Sequence, residues 1–202
     1  ADLEGVVDRA LAISQSEPAG PVSLTLPREV LAKSLENFTY SENPRMTAAD
    51  AIMPPPDLIH KAALALASAK NPMLITQDSG RDPEAVQPLV DLAEVLGMPV
   101  FESRVCHLNF PQDHPLHAGS DVAGTLPDAD VVVILEADVP WAPKRTGPND
   151  NATIISIGVD PLFSNYPIRG YRSDLTLAGS PKPTLTALVE VIKQIGVDTR
   201  AV

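Results

Sequence analysis

The sequence predicts an α/β fold built on a parallel sheet, and two observations predict it. The first is DADVVVILEAD, Asp128 to Asp138, where five consecutive apolar residues, Val131 to Leu135, stand between acidic ends. A short apolar run dominated by β-branched residues reads as a strand buried on both faces, and such strands belong to parallel sheets. The second is an alternation, from Asp57 onward, of helical-period stripes with short β-branched runs, the pattern of βαβ units. In an open α/β sheet, ligands collect beyond the carboxyl ends of the strands. The segment leaving the Val131 to Leu135 strand, Glu136 to Trp141, is therefore the first place to look for function.

Taken in order, Val6, Val7, Ala10 and Leu11 fall at helical spacing, and SEPAG ends that helix with a proline and a glycine. In GPVSLTLP, Val22, Leu24 and Leu26 alternate with Ser23 and Thr25, the period of a half-buried strand closed by Pro27. This helix and strand read as the tail of another unit. From Arg28 to Met53 the pattern weakens, and Pro54 to Pro56 exclude helix and central strand, so an interdomain linker with polyproline character is expected. The boundaries that follow are 1–35 for the tail, 36–56 for the linker and 57–202 for the main domain.

Within that domain Asp57 is placed to cap a helix whose Ile59, Ala62, Ala63 and Leu66 share one face. Met73 to Thr76 reads as a strand and QDSG as the loop leaving it. Asp82 and Pro83 form an N-cap and first-turn pair before an apolar stripe of Val86, Leu89, Val90, Ala93 and Leu96, stopped by Gly97. Pro88 inside that stripe either kinks the helix or moves its start to Gln87. Pro99 to Glu102, Ile154 to Val159 and Leu175 to Ala178 are further strands, with a short one near Leu116 to Ala118. Leu185, Leu188, Val189 and Ile192 face one side of a closing helix.

Composition narrows the function. A length of 202 residues and 44% apolar content suit one substantial core. The formal charge of −11 and the absence of a Lys/Arg cluster argue against a nucleic-acid partner. No run of 18 apolar residues occurs, which argues against a membrane helix. One cysteine, Cys106, excludes an internal disulfide framework and fits a reducing, cytoplasmic setting. The chain opens on ADLEGVVDRALAIS, without a methionine and already inside an amphipathic helix, and so reads as a fragment.

Read as a string, AKNPMLITQDSG, LAEVLGMPVFES, FPQDHPLHAGS, DADVVVILEAD and ATIISIGVDPLFSNYP resemble the central domain of thiamine-diphosphate-dependent enzymes, among them acetolactate synthase and the 2-oxo-acid decarboxylases. The likeness runs from about Asp57 to Ile195. FPQDHPL looks like the family's F-P-x-D-H-P-L loop, and GPVSLTLPREVL looks like the end of its pyrimidine-binding domain. The resemblance implies a Rossmann-like parallel sheet of about six strands, order 3-2-1-4-5-6, flanked by helices. It also implies a parent enzyme that uses thiamine diphosphate and Mg²⁺, acts on 2-oxo acids and assembles as a homo-oligomer. The family's activating glutamate and its G-D-G with N-N belong to other domains, and no G-D-G occurs here. The chain is thus expected to carry neither catalytic base nor metal site, and to have the pyrimidine-binding and diphosphate-binding domains as its partners.

Some members of the family bind FAD or ADP on this domain. The implied strand order makes the exits of Met73 to Thr76 and Val131 to Leu135 the switch point, so Gln77, Asp78, Ser79, Gly80, Glu136 and Asp160 are the candidate nucleotide-crevice residues. Three loops depart from the flavin-binding pattern. QDSG has one glycine where a glycine-rich loop is common, EAD stands where G-A-R is common, and RVCHLN stands where M-G-K-G is common. Carboxylates beside a diphosphate repel it, which disfavours FAD, whereas Asp160 matches the family's ribose-binding aspartate. The alternative reading is an FAD- or ADP-binding module on the same fold.

Two other constellations have competing readings. Cys106, His107, His114 and His117 fall within 12 residues and invite a zinc reading, against a His114-Pro115 turn whose imidazole bonds to backbone. Glu136 with Asp138 can be an acid/base couple or can cap a turn. Trp141 is expected to anchor a loop or touch a neighbouring domain, and NYPIRGYR, Asn165 to Arg172, to form a surface interface within the parent oligomer. No G-x-S-x-G, G-x-G-x-x-G, P-loop or H-E-x-x-H occurs.

Overall fold

A computed structural model describes residues 3–34, 36–37, 39, 41–44 and 46–196. The chain divides into two compact units, Ala1–Ala51 and Ile52–Val202.

The first unit holds α1 (Leu3–Gln15) and the single-turn α2 (Arg28–Leu31). The expected helix on Val6, Val7, Ala10 and Leu11 forms as α1. The strand expected at Val22 to Leu26 does not form: that segment has no regular secondary structure, and Val22, Leu24 and Leu26 are exposed. Alternation marks a face that a sheet can bury, but a strand exists only where a neighbour completes its hydrogen bonds. Among the described residues of this unit, Ala12 alone is buried.

The second unit contains α3 (Pro56–Ser68), β1 (Pro72–Thr76), α4 (Val86–Leu96), β2 (Val100–Glu102), β3 (Val131–Leu135), β4 (Thr153–Gly158), β5 (Leu175–Ala178) and α5 (Pro181–Ile195). All strand pairs are parallel, in the order β2-β1-β3-β4-β5. The short strand expected at Leu116 to Ala118 is reduced to a single parallel bridge, Val100 to His117, on the outer edge of β2. Its backbone still pairs there: Val100 N–H donates to the Leu116 carbonyl at 2.9 Å and Ala118 N–H to the Val100 carbonyl at 2.8 Å. With this segment in the outer position, the sheet follows the 3-2-1-4-5-6 order. The pairing runs on as far as Gly119, whose carbonyl accepts Glu102 N–H at 2.9 Å, while the His114-Pro115 turn stands before it.

β3 lies at the centre of the sheet, with β1 and β4 on its flanks, and all five of its residues are buried. This is the physical content of the VVVIL run: both faces must be apolar. On one face α3, α4 and α5 cover Leu74, Val133, Leu135, Ile155, Ile157 and Leu177. On the other face Met73, Ile75, Val132, Ile134 and Ile154 are covered by Val122, Leu126, Trp141 and Tyr171, which come from loops and a 3-10 turn rather than from long helices. The loops that leave the carboxyl ends of β3 and β4 are therefore part of the core as well as of the rim.

Two element starts differ from expectation. Pro56, expected to lie outside any helix, is the first residue of α3, and Asp57 stands in the first turn and makes no cap. A proline is tolerated at the first helical position because its missing N–H would have no intrahelical partner there. Asp82 does accept a hydrogen bond from Glu84 N–H, but it caps the 3-10 turn Pro83–Ala85 that precedes α4. Pro88 then falls in the first turn of α4, where it breaks no hydrogen bond, and α4 ends at Gly97 in the left-handed conformation.

Candidate functional site

Pairing of β1 with β3, register Leu74 to Val133, brings the two expected loops together at the carboxyl edge. They touch directly: Asp78 N–H donates to the Glu136 carbonyl at 3.2 Å. Gln77 and Asp78 are half-buried, while Ser79 and Gly80 are buried. The Gln77 amide oxygen is buried and has no hydrogen-bond partner among the described residues. Asp78 pairs with His107 Nδ1 at 2.6 Å and lies 4.0 Å from Arg81.

Glu136 has φ 46° and turns its carboxylate toward β4, where it accepts Val159 N–H at 2.7 Å. Gly158 makes this possible, because a Cβ there would stand 3.0 Å from the Glu136 carboxyl carbon. Glu136 therefore ties the exit of β3 to that of β4. Asp138 does not pair with it as an acid/base couple; its oxygens accept Val139 N–H at 2.6 Å and the Tyr166 hydroxyl at 2.9 Å. The hydrogen bond to Asp138 holds the Tyr166 phenol above its ordinary pKa. Asp160, half-buried, accepts both the backbone N–H and the hydroxyl of Ser164, at 2.7 and 2.8 Å, so its carboxylate serves its own turn.

A buried polar chain beneath this rim was not legible in the sequence. Thr76 Oγ1 donates to Ser79 Oγ at 2.7 Å, and Ser79 Oγ donates on to Asn109 Oδ1 at 3.4 Å. Gly80 N–H also donates to Asn109 Oδ1, at 2.9 Å. Asn109 Nδ2 donates to Glu102 Oε1 at 3.0 Å and to the His107 carbonyl at 3.1 Å. Glu102 Oε2 in turn meets His117 Nε2 at 2.9 Å. Asn109, fully buried, thus uses both donors and both acceptor positions of its carboxamide. The one available signal was a polar residue set between Leu108 and Phe110, beside the F-P-x-D-H-P-L loop.

The zinc reading does not assemble. His107 goes to Asp78, His117 to Glu102, and His114 to Glu94 at 3.3 Å while its Nδ1 accepts Leu116 N–H at 3.1 Å, the backbone bond of the turn reading. Among the described residues, no group of three His, Cys, Asp or Glu side chains converges as a metal-ligand set.

NYPIRGYR lies at the surface as expected, with six of its eight residues exposed, and its half-buried Arg169 and Tyr171 make an intrachain clamp. Arg169 donates to the Ala137 and Asp138 carbonyls at 3.2 and 3.3 Å and sits between the Phe163 and Tyr171 rings, 4.7 and 5.2 Å from their centroids. Burial pulls the Arg169 pKa down and pushes that of Tyr171 up. Tyr171 stacks edge-on against Trp141 at 5.1 Å and donates its hydroxyl to the Trp141 carbonyl at 2.8 Å, so Trp141 anchors the loop. Ile168 remains 90% exposed. A cavity of about 260 Å³ lies beside this clamp, and a larger cleft of about 750 Å³ lies at the opposite, amino-terminal edge near Lys70, Pro99 and Asn149, away from the switch point.

The sheet order and the meeting of two strand exits at its switch point define a Rossmann-like α/β domain. Residues 59–188 match the family described as thiamine pyrophosphate enzyme, central domain, and the chain belongs to that family. Oxalyl-CoA decarboxylase of Escherichia coli (strain K12) is 28% identical over 177 residues, covering 83% of this chain and 31% of that protein. Acetolactate synthase of Mycobacterium bovis is 24% identical over 206 residues, covering 95% of this chain and 32% of that protein. The crystal structure of benzoylformate decarboxylase from Polynucleobacter necessarius superposes with a TM-score of 0.75 at 25% identity, over 99% of this chain and 37% of that one. The chain spans about a third of the length of the curated relatives it matches. Among the described residues, no helix is long and apolar enough to cross a membrane.

Proposed function

We propose that this chain acts as the non-catalytic central domain of a thiamine-diphosphate-dependent enzyme acting on 2-oxo acids, by decarboxylation or carboligation. The family match over residues 59–188 carries the reading. The relatives it matches add support, since they include a decarboxylase and a synthase about three times its length. On this reading residues 1–35 are the tail of a pyrimidine-binding domain, 36–56 a linker and 57–202 the central domain. Thiamine diphosphate, when bound, supplies the electron sink for the reaction; it and Mg²⁺ are held by residues outside this chain. The task of the central domain is to space the pyrimidine-binding and diphosphate-binding domains and to contribute to a homo-oligomeric interface. Exposed Cys106, the only cysteine, suits a reducing, cytoplasmic compartment.

The experiment is an assay of the complete gene product against a panel of 2-oxo acids. Thiamine-diphosphate-dependent release of CO₂, or transfer to a second carbonyl, is the expected result; a product indifferent to thiamine diphosphate would refute the reading. FAD on the candidate crevice is disfavoured by the Asp78 and Asp138 carboxylates at the two strand exits, so the purified 202-residue chain is expected to be colourless. A yellow preparation with flavin absorbance would favour the nucleotide-binding alternative.

The isolated chain is also expected to self-associate. Leu3, Val6, Leu11, Val22, Leu24 and Leu26 are all more than 40% exposed, and the segment at Val22 to Leu26 has no regular secondary structure. Sedimentation velocity should show mass rising with concentration through the micromolar range. A strict monomer throughout would show that these surfaces do not associate.

A further inference from the structure

The carboxyl edge of the sheet is where an α/β fold of this order receives an anion, on backbone N–H groups that face the crevice. Here five backbone N–H groups at that edge already donate within the chain. Asp78 N–H goes to the Glu136 carbonyl, Gly80 N–H to Asn109 Oδ1, and Ser103 N–H to the Thr76 carbonyl. Glu136 N–H goes to the Ile157 carbonyl and Val159 N–H to the Glu136 carboxylate. One short segment, Arg104 to Asn109, meets both walls of the crevice. At the β3 exit the Arg104 guanidinium stands 3.8 Å from Asp138. At the β1 exit His107 meets Asp78 at 2.6 Å, and the Leu108 carbonyl oxygen lies 2.0 Å from where a Cβ on Gly80 would be. Asn109 then enters the core, where its carboxamide oxygen sits on Gly80 N–H as a phosphate oxygen would.

We infer that Arg104 to Asn109 is a built-in lid on the crevice between β1 and β3, seated by Asn109, and that it closes the crevice to nucleoside diphosphates. Asn109 is the seat because the other two fastenings lie at the surface: the Arg104 side chain is 65% exposed and that of His107 is 44% exposed. Exposed ion pairs of this kind fix a segment weakly. The carboxamide of Asn109, by contrast, joins the lid to β1, through Ser79 and Gly80, and to β2, through Glu102. The inference concerns the residues of this chain and stands independently of the reaction of the parent enzyme.

The test uses the 202-residue chain, backbone NMR with hydrogen exchange at single amides, and ADP as the probe. In the wild type, millimolar ADP should leave the amides of Asp78, Ser79 and Gly80 unshifted. In Asn109→Ala, Gly80 exchange should accelerate about tenfold, the effect of losing one side-chain hydrogen bond to backbone. The Leu74 and Ile75 amides should keep their wild-type rates, and ADP should now shift the Asp78 to Gly80 amides. If Asn109→Ala does not fold, His107→Ala, which leaves the buried network intact, should raise exchange across residues 104–108 by about threefold and admit a weaker ADP response. Wild-type binding of ADP, unchanged Gly80 protection in Asn109→Ala, or ADP silence in every folded variant would each overturn the lid. None of these readouts depends on thiamine chemistry, so the lid and the enzyme reading fail separately.

Discussion

Phe110→Ala is expected to lower the stability of the Ile52–Val202 unit by about 4 kcal/mol, the cost of emptying a large aromatic site in a packed core. Phe110 is fully buried and belongs to the helix-side core. Its ring meets His114 edge-on at 5.0 Å and stacks with His117 at 6.5 Å. Both histidines are fixed by other bonds, His114 to Leu116 N–H and His117 to Glu102, so they cannot collapse into the space left behind. The loss should appear as a lower urea midpoint with an unchanged slope. Leu108→Ala, two residues away at a position 62% exposed, is the control and should change stability by less than about 0.5 kcal/mol. Equal effects at the two positions would mean that Phe110 is not an anchor of the core.

Gly80→Ala is expected to cost about 3 kcal/mol, the upper part of the range for overpacking, because the added carbon meets backbone and not a movable side chain. It would lie 2.0 Å from the Leu108 carbonyl oxygen and 2.5 Å from its carbon. Relief requires the Arg104 to Asn109 segment to lift, which breaks the Gly80 to Asn109 hydrogen bond and strains the contact of Asn109 with Glu102. The substitution therefore removes packing and a buried polar contact together. Chemical unfolding checks the magnitude, and a cost below about 1 kcal/mol would show that the two loops are not closely packed.

How much of this was legible in the sequence depended on whether the signal was local. VVVIL at 131–135 announced a strand buried on both faces, because both faces of a central parallel strand must be apolar whatever its neighbours are, and MLIT at 73–76 announced a short strand that the structure extends to Pro72. The stripe Leu185, Leu188, Val189 and Ile192 likewise fixed the inner face of α5. Val22 to Leu26 misled for the complementary reason: its alternation is local, but pairing is not. At the rim, the strand order implied by the family resemblance put Gln77 to Gly80 and Glu136 at one switch point, whereas the partners of these residues depended on tertiary placement. Glu136 was read as a repulsive carboxylate facing a ligand, yet it turns to Val159 N–H. Asn109 was passed over because nothing beside it in the chain reveals that Gly80 and Glu102 lie within reach. The composition of NYPIRGYR announced a surface loop, which it is, but the bonds of half-buried Arg169 and Tyr171 to the β3 exit depended on tertiary placement.

These features describe an α/β sheet whose strand exits are fastened to one another by its own side chains, an arrangement compatible with the proposed spacing role. The measurement that tests this most directly is calorimetric titration of thiamine diphosphate with Mg²⁺ into the 202-residue chain and, in parallel, into the complete gene product. Saturable binding to the complete product and no binding to the chain alone is the predicted result. Binding by the isolated chain, or by neither, would contradict the account.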